Sequence, residues 1–219
     1  LRNQALAHLA RWQAAAGEVD DALDTAHAVT NPARRSAVLA SIALVRALRG
    51  DWVSADNYFE QAVQAAATVQ NDSTKIRALI EIAELQVLAR NRIGAARTLD
   101  QAEAALAEMG SNAVGDSLRA ELAQIQAKAG LVGEAFRTKH EITEERMQRR
   151  ALGSIAKTQA EAGDLDTAKI TINAIPDSSD KDDFDRTFAL SVVALEYSNA
   201  VAFDKALETV SRMPPGNFL

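Results

Sequence analysis

Small and large apolar residues return along this chain at separations of three, four and seven. That spacing places them on one face of a helix. Six stretches share one register. A large residue leads, at Leu6, Leu39, Leu79, Leu152 and Leu190, with Arg119 breaking the fourth copy and Leu118 expected to take its role there. Three positions on come Leu9, Ile42, Ile82, Leu122, Ile155 and Val193, each followed directly by an alanine: Ala10, Ala43, Ala83, Ala123, Ala156 and Ala194. Twelve residues after each of these stands a second alanine: Ala22, Ala55, Ala95, Ala135, Ala168 and Ala206. Each copy therefore predicts a first helix with a Leu/Ile stripe and a second helix that crosses it closely at paired alanines.

Between the two alanine columns lie Gly17, Gly50, Gly130 and Gly163, with Arg90 and Val201 in the remaining copies. Glycine ends a helix by taking the left-handed conformation. Asp51 and Asp164 follow as N-caps of the next helix. Asn31-Pro32, Asn71-Asp72-Ser73, Gly110-Ser111, Ile175-Pro176 and Met213-Pro214-Pro215 separate one hairpin from the next. The expectation is an all-α chain, a single array over residues 1–219, with six hairpins at about 1–30, 31–72, 73–110, 111–143, 144–180 and 181–215. Successive second-helix alanines are 33, 40, 40, 33 and 38 residues apart. The excess of seven is about two helical turns. It lengthens the helices of the second and third hairpins while nearly preserving their apolar face.

Composition narrows the function classes. Hydrophobic residues make up 47% and charged residues 25%, which suits a packed globular chain and not a disordered one. The formal net charge of -6 argues against nucleic-acid binding, which needs phosphate-neutralising Lys and Arg. The absence of cysteine removes disulfides, thiol nucleophiles and thiolate zinc sites. No apolar run is long enough to span a bilayer. The chain starts at Leu1 without a Met and is read as a trimmed piece. The compartment is left open, with the cytoplasm favoured over periplasm or secretion.

These columns resemble the tetratricopeptide-repeat family over nearly the whole chain, in a divergent form, with pentatricopeptide-like and Sel1-like arrays as neighbours. The best copy sets Leu152, Ile155-Ala156, Gly163 and Ala168 in the family's motif places. The family's usual aromatic late in the first helix is replaced by Gln13, Arg46, Gln86, Gln126 and Gln159, and kept only as Tyr197. The resemblance implies a right-handed α-α superhelix, or solenoid, whose first helices line a peptide-binding groove. Its groove position, the residue after the packed alanine, holds Arg11, Leu44, Glu84, Gln124, Lys157 and Leu195 here. No repeated Lys/Asn set appears there, which disfavours a clamp for a C-terminal carboxylate.

Candidate chemistry is sparse. His8, His27 and His140 lie in separate hairpins without ligand spacing, so no metal site and no cofactor are expected. The run from Asp177 to Asp185 lacks the calcium-loop glycine position and reads as a polar loop, with Ser179 or Asp180 capping the following helix. Arg146, Arg149 and Arg150 share a helix face beside Glu144 and Glu145 and read as a solvated, salt-bridged surface. Gln13, Gln86, Gln126 and Gln159 recur once per hairpin. They make either an amide ladder for the backbone of a bound peptide or partners for groups within their own hairpins. No catalytic motif stands out.

The functional expectation is a non-enzymatic protein-interaction scaffold holding a partner peptide or helix in its groove, without nucleic acid and without membrane insertion. Two alternatives stay open: a homo-oligomer that assembles through uncapped array ends, and a docking or regulatory domain of a larger protein.

Overall fold

The computed structural model describes residues 2–176, 184–199 and 202–213. Within them the chain is all helical, in six consecutive hairpins: α1 (Arg2–Ala16) with α2 (Val19–His27), α3 (Pro32–Leu48) with α4 (Trp52–Ala67), α5 (Asp72–Leu88) with α6 (Arg92–Met109), α7 (Ala113–Lys128) with α8 (Val132–His140), α9 (Glu145–Glu161) with α10 (Leu165–Asn173), and α11 (Phe184–Asn199) with α12 (Phe203–Ser211). They fall into two compact units, Leu1–Gly110 and Ser111–Leu219, with the division at the junction of the third and fourth hairpins.

All twelve column alanines are buried. An alanine removes the side-chain bulk that would hold two crossing helices apart, so each pair lets the helices of one hairpin approach. Ile42, Ile82, Leu122, Ile155 and Val193 fill the space around them and are fully buried. Leu9, in the same column, is 50% exposed. Register fixes the face a side chain takes within its hairpin, but its burial also needs a helix packed over that face.

The seven-residue insertions enter the second helices alone. First helices keep a length of 15 to 17 residues. Second helices are 9 residues long in four hairpins and 16 and 18 in α4 and α6. Lengthening beyond the corner leaves the crossing alanines and the turn untouched, so the hairpin geometry tolerates it.

The corners share one hydrogen-bond scheme. Asp51 N–H donates to the Arg46 carbonyl, Asn91 N–H to that of Gln86, Leu131 N–H to that of Gln126 and Asp164 N–H to that of Gln159. These bonds close the end of the first helix through a left-handed residue. Gly17, Gly50, Gly130 and Gly163 supply it at φ of 94°, 83°, 84° and 84°, and Arg90 takes the same place at φ 58° without being glycine. Asp51 and Asp164 accept from the backbone N–H of Ser54 and Thr167, and Asn31, Asn71, Asn91 and Asn112 cap their helices in the same way. The capping assigned to Ser179 or Asp180 lies outside the described residues.

Arg119 does not leave the column. It occupies the leucine place and is buried at 4% exposure, while Leu118 is buried beside it. The guanidinium Nη1 lies 3.7 Å from Asp116 Oδ1, and its Nε lies 3.5 Å from Glu141 Oε2. A buried cation at this place is tolerated because carboxylates on α7 and at the end of α8 meet it.

Candidate functional site: the face of the first helices

Within each unit consecutive first helices pack side by side, α1 on α3 on α5 and α7 on α9 on α11. Second helices pack chiefly on their own first helix and on the next one. Close first helices and separated second helices curve a layer toward its first-helix side. In the first unit the curvature is enough for Arg11 on α1 to reach Glu81 on α5, Nη2 to Oε1 at 3.5 Å, across the intervening α3.

The groove beneath that ion pair has a volume of about 380 Å³. It is lined by His8 and Arg11 of α1, by Asn31, Arg34 and Ala37 at the start of α3, and by Thr74 and Glu81 of α5. Of the expected groove residues, Arg11 stands at this site, while Leu44 and Glu84 are half-buried along the same layer of first helices. His8 and Glu81 were not anticipated. They occupy one column, two positions before the packed alanine, which lies on the same helix face and was readable from the register.

In the second unit the equivalent positions are Gln124, Lys157 and Leu195. Gln124 is half-buried and Leu195 is exposed. Lys157 Nζ lies 5.4 Å from the centroid of the Phe188 ring on α11 and 3.6 Å from Glu161 Oε1. It therefore presents a cation held by a ring on the neighbouring first helix. The two rows belong to separate units. In the Arg146, Arg149 and Arg150 set, Arg149 Nη1 pairs with Glu145 Oε1 at 3.0 Å. The carboxylate run at 177–185 lies outside the residues whose side chains are described.

The glutamine column is drawn into the hairpins. Gln126 and Gln159 are buried, and each accepts a hydrogen bond from a threonine twelve residues later on its own second helix: Thr138 Oγ1 at 2.8 Å and Thr171 Oγ1 at 2.7 Å. Gln86 is buried as well, and its Oε1, like that of half-buried Gln13, has no hydrogen-bond partner. These amides therefore do not stand as a row on the open first-helix face. The twelve-residue spacing to Thr138 and Thr171 is the sequence signal for the pairing in these two hairpins, and Thr25 and Thr98 stand at the same spacing from Gln13 and Gln86 without it.

No helix among the described residues is long and apolar enough to cross a membrane.

The class defined by this architecture is an all-α helical-repeat fold of the α-α superhelical type. Among solved structures the chain is similar to the crystal structure of Ton1535 from Thermococcus onnurineus NA1, with a TM-score of 0.57 and 17% identity. The match covers 88% of this chain and 59% of that one, so the chain spans well under the full length of this neighbour. At that identity the likeness concerns the fold alone. No protein-family model matches the chain, and no curated protein matches it.

Proposed function

We propose that this chain is a tetratricopeptide-like, non-enzymatic scaffold that holds a segment of a partner protein against its first helices. The observation that carries it is the Arg11–Glu81 pair closing over a groove built from three consecutive first helices. Regular secondary structure supplies a rigid wall, and the groove side chains differ from copy to copy, which is how a repeat array reads a particular segment. The groove sets two arginines, Arg11 and Arg34, against the one carboxylate of Glu81, a positive balance that favours a segment with acidic side chains in the first unit. The repeat columns are spent on packing and turns, so specificity falls to the positions that vary.

Selection from a displayed library of random peptides tests this. Acidic peptides should be enriched on the wild-type chain and lose about tenfold in affinity on Arg11→Glu, the effect of removing one charge-assisted contact. Failure to enrich any peptide, or peptides indifferent to Arg11→Glu and Arg34→Glu, contradicts the proposal.

A second reading, self-assembly, draws on Leu9 and Trp12, both exposed on α1, where the equivalents of Leu9 in the other copies are buried. Sedimentation at rising concentration separates the two. A mass that grows for the wild type and stays monomeric for Leu9→Asp supports assembly, and a constant monomer excludes it.

A further inference from the structure

A second cleft lies away from the first-helix face, between the long second helices α4 and α6, with α5 as its floor. Its volume is about 440 Å³, within the range of pockets that take small organic ligands. At the floor is the Gln86 side chain, 4% exposed, whose amide oxygen has no hydrogen-bond donor. A buried acceptor left without a partner is costly, by more than a hydrogen bond returns when made.

The repeat provides an internal control. In the fourth and fifth hairpins the equivalent glutamine oxygens are taken by Thr138 and Thr171. In the third, the equivalent Thr98 turns its hydroxyl to the Gly94 carbonyl at 3.0 Å. Gln86 is one of the residues that line the cleft between α4 and α6, and its Oε1 is left without a donor. Three charged side chains line the walls, Asp56 and Glu60 on α4 and Arg97 on α6. Asp56 Oδ1 accepts from Asn91 Nδ2 at 2.7 Å, whereas Glu60 and Arg97 take part in no ion pair with a described residue. Val63 and Ile93 line the space with apolar surface.

We propose that this cleft binds a short peptide with free termini. A zwitterion places its ammonium against Glu60 and its carboxylate against Arg97, and an internal peptide N–H donates to Gln86 Oε1. The carboxylate against Arg97 is a charge-assisted contact of the strong kind. This ligand satisfies all three unmatched groups at once. A guanidinium or alkylammonium ligand would leave Arg97 unmet, and an interior segment of a protein would meet the two charges only where its own side chains supplied both partners. The site is separate from the first-helix groove, and its occupancy does not depend on that proposal.

Isothermal titration of the whole chain with the tripeptide Ala-Gly-Ala, and with its N-acetylated, C-amidated form, is the test. The free tripeptide should bind saturably and the doubly capped form at least about tenfold more weakly, as expected for losing charge-assisted contacts. Arg97→Gln and Glu60→Gln, both at exposed positions, should each weaken the free tripeptide by about the same factor, and Gln86→Met should weaken it further. If Gln86→Met does not fold, the two surface variants decide alone. Absence of binding at millimolar tripeptide, equal binding of the capped form, or agmatine binding in its place overturns the proposal. So does binding unchanged in Arg97→Gln and Glu60→Gln.

Discussion

Asp116, in the first turn of α7, caps the start of α9 from across the hairpin junction. Its Oδ2 accepts from Thr143 Oγ1 at 2.6 Å, Thr143 N at 3.0 Å and Glu144 N at 2.8 Å. The residue at the N-cap of α9, Glu144, makes no side-chain capping bond of its own, so Asp116 supplies the acceptor. The first hairpin repeats the arrangement in weaker form, with Asn3 Oδ1 accepting from Thr30 N at 2.9 Å and Thr30 Oγ1 at 3.1 Å. Asp116→Ala should therefore cost about 2 kcal/mol or more, since it removes a cap and leaves Arg119 with one carboxylate fewer. Asn3→Ala, at an exposed junction, should cost about 1 kcal/mol or less. Urea denaturation of the two variants checks the order.

The same contact makes stability depend on pH. Burial alone raises the Asp116 pKa. The hydrogen bonds from the Thr143 hydroxyl and the Glu144 and Thr143 N–H groups, with the charge of Arg119, outweigh burial and hold it below the ordinary carboxylate value. A depressed folded pKa means that the stabilisation is complete above the unfolded value of about 3.9 and is lost as pH falls through the folded value. The stability difference between wild type and Asp116→Asn should thus be constant above about pH 5 and shrink below about pH 4. Denaturation midpoints measured from pH 3 to 7 would show it, and a difference that grew toward low pH would contradict the assignment.

Gln126 and Thr138 should behave as a coupled pair. Gln126→Leu or Thr138→Val alone strands a buried polar group, at about 1–3 kcal/mol each. The double variant should cost distinctly less than the sum, with a coupling of about 1 kcal/mol in a double-mutant cycle.

Arg90 occupies a left-handed corner that glycine fills in four other hairpins. Arg90→Gly should raise stability by about 0.5–1 kcal/mol, because glycine carries no steric penalty at positive φ. Gly163→Arg should lower it by a similar amount, and thermal melts of both variants report the sign.

The helices were legible because packing imposes a fixed period: Ala156 and Ala168 cannot change size without separating α9 from α10. The corners were legible for a related reason, as Gly163 and Asp164 meet one backbone requirement each. Asp116–Thr143 was harder to see, since Thr143 lies in the connection after α8 and a whole second helix separates the two residues in sequence. Its one signal is that Asn3 and Thr30 stand at the same separation of 27 residues. Leu9 looked like core because register reports orientation and not what covers a face. The groove column puts Arg11 on α1 but could not show that Glu81 meets it, because that contact depends on how far α1, α3 and α5 curve together.

Photo-crosslinking tests the central claim most directly. A benzoylphenylalanine at position 8, exposed on the first-helix face beside Arg11, and one at position 100, exposed on α6, are each irradiated with the strongest peptide from the selection above. The scaffold account predicts a cross-linked product from position 8 and none from position 100. Cross-linking from position 100 alone, or equally from both, would contradict it.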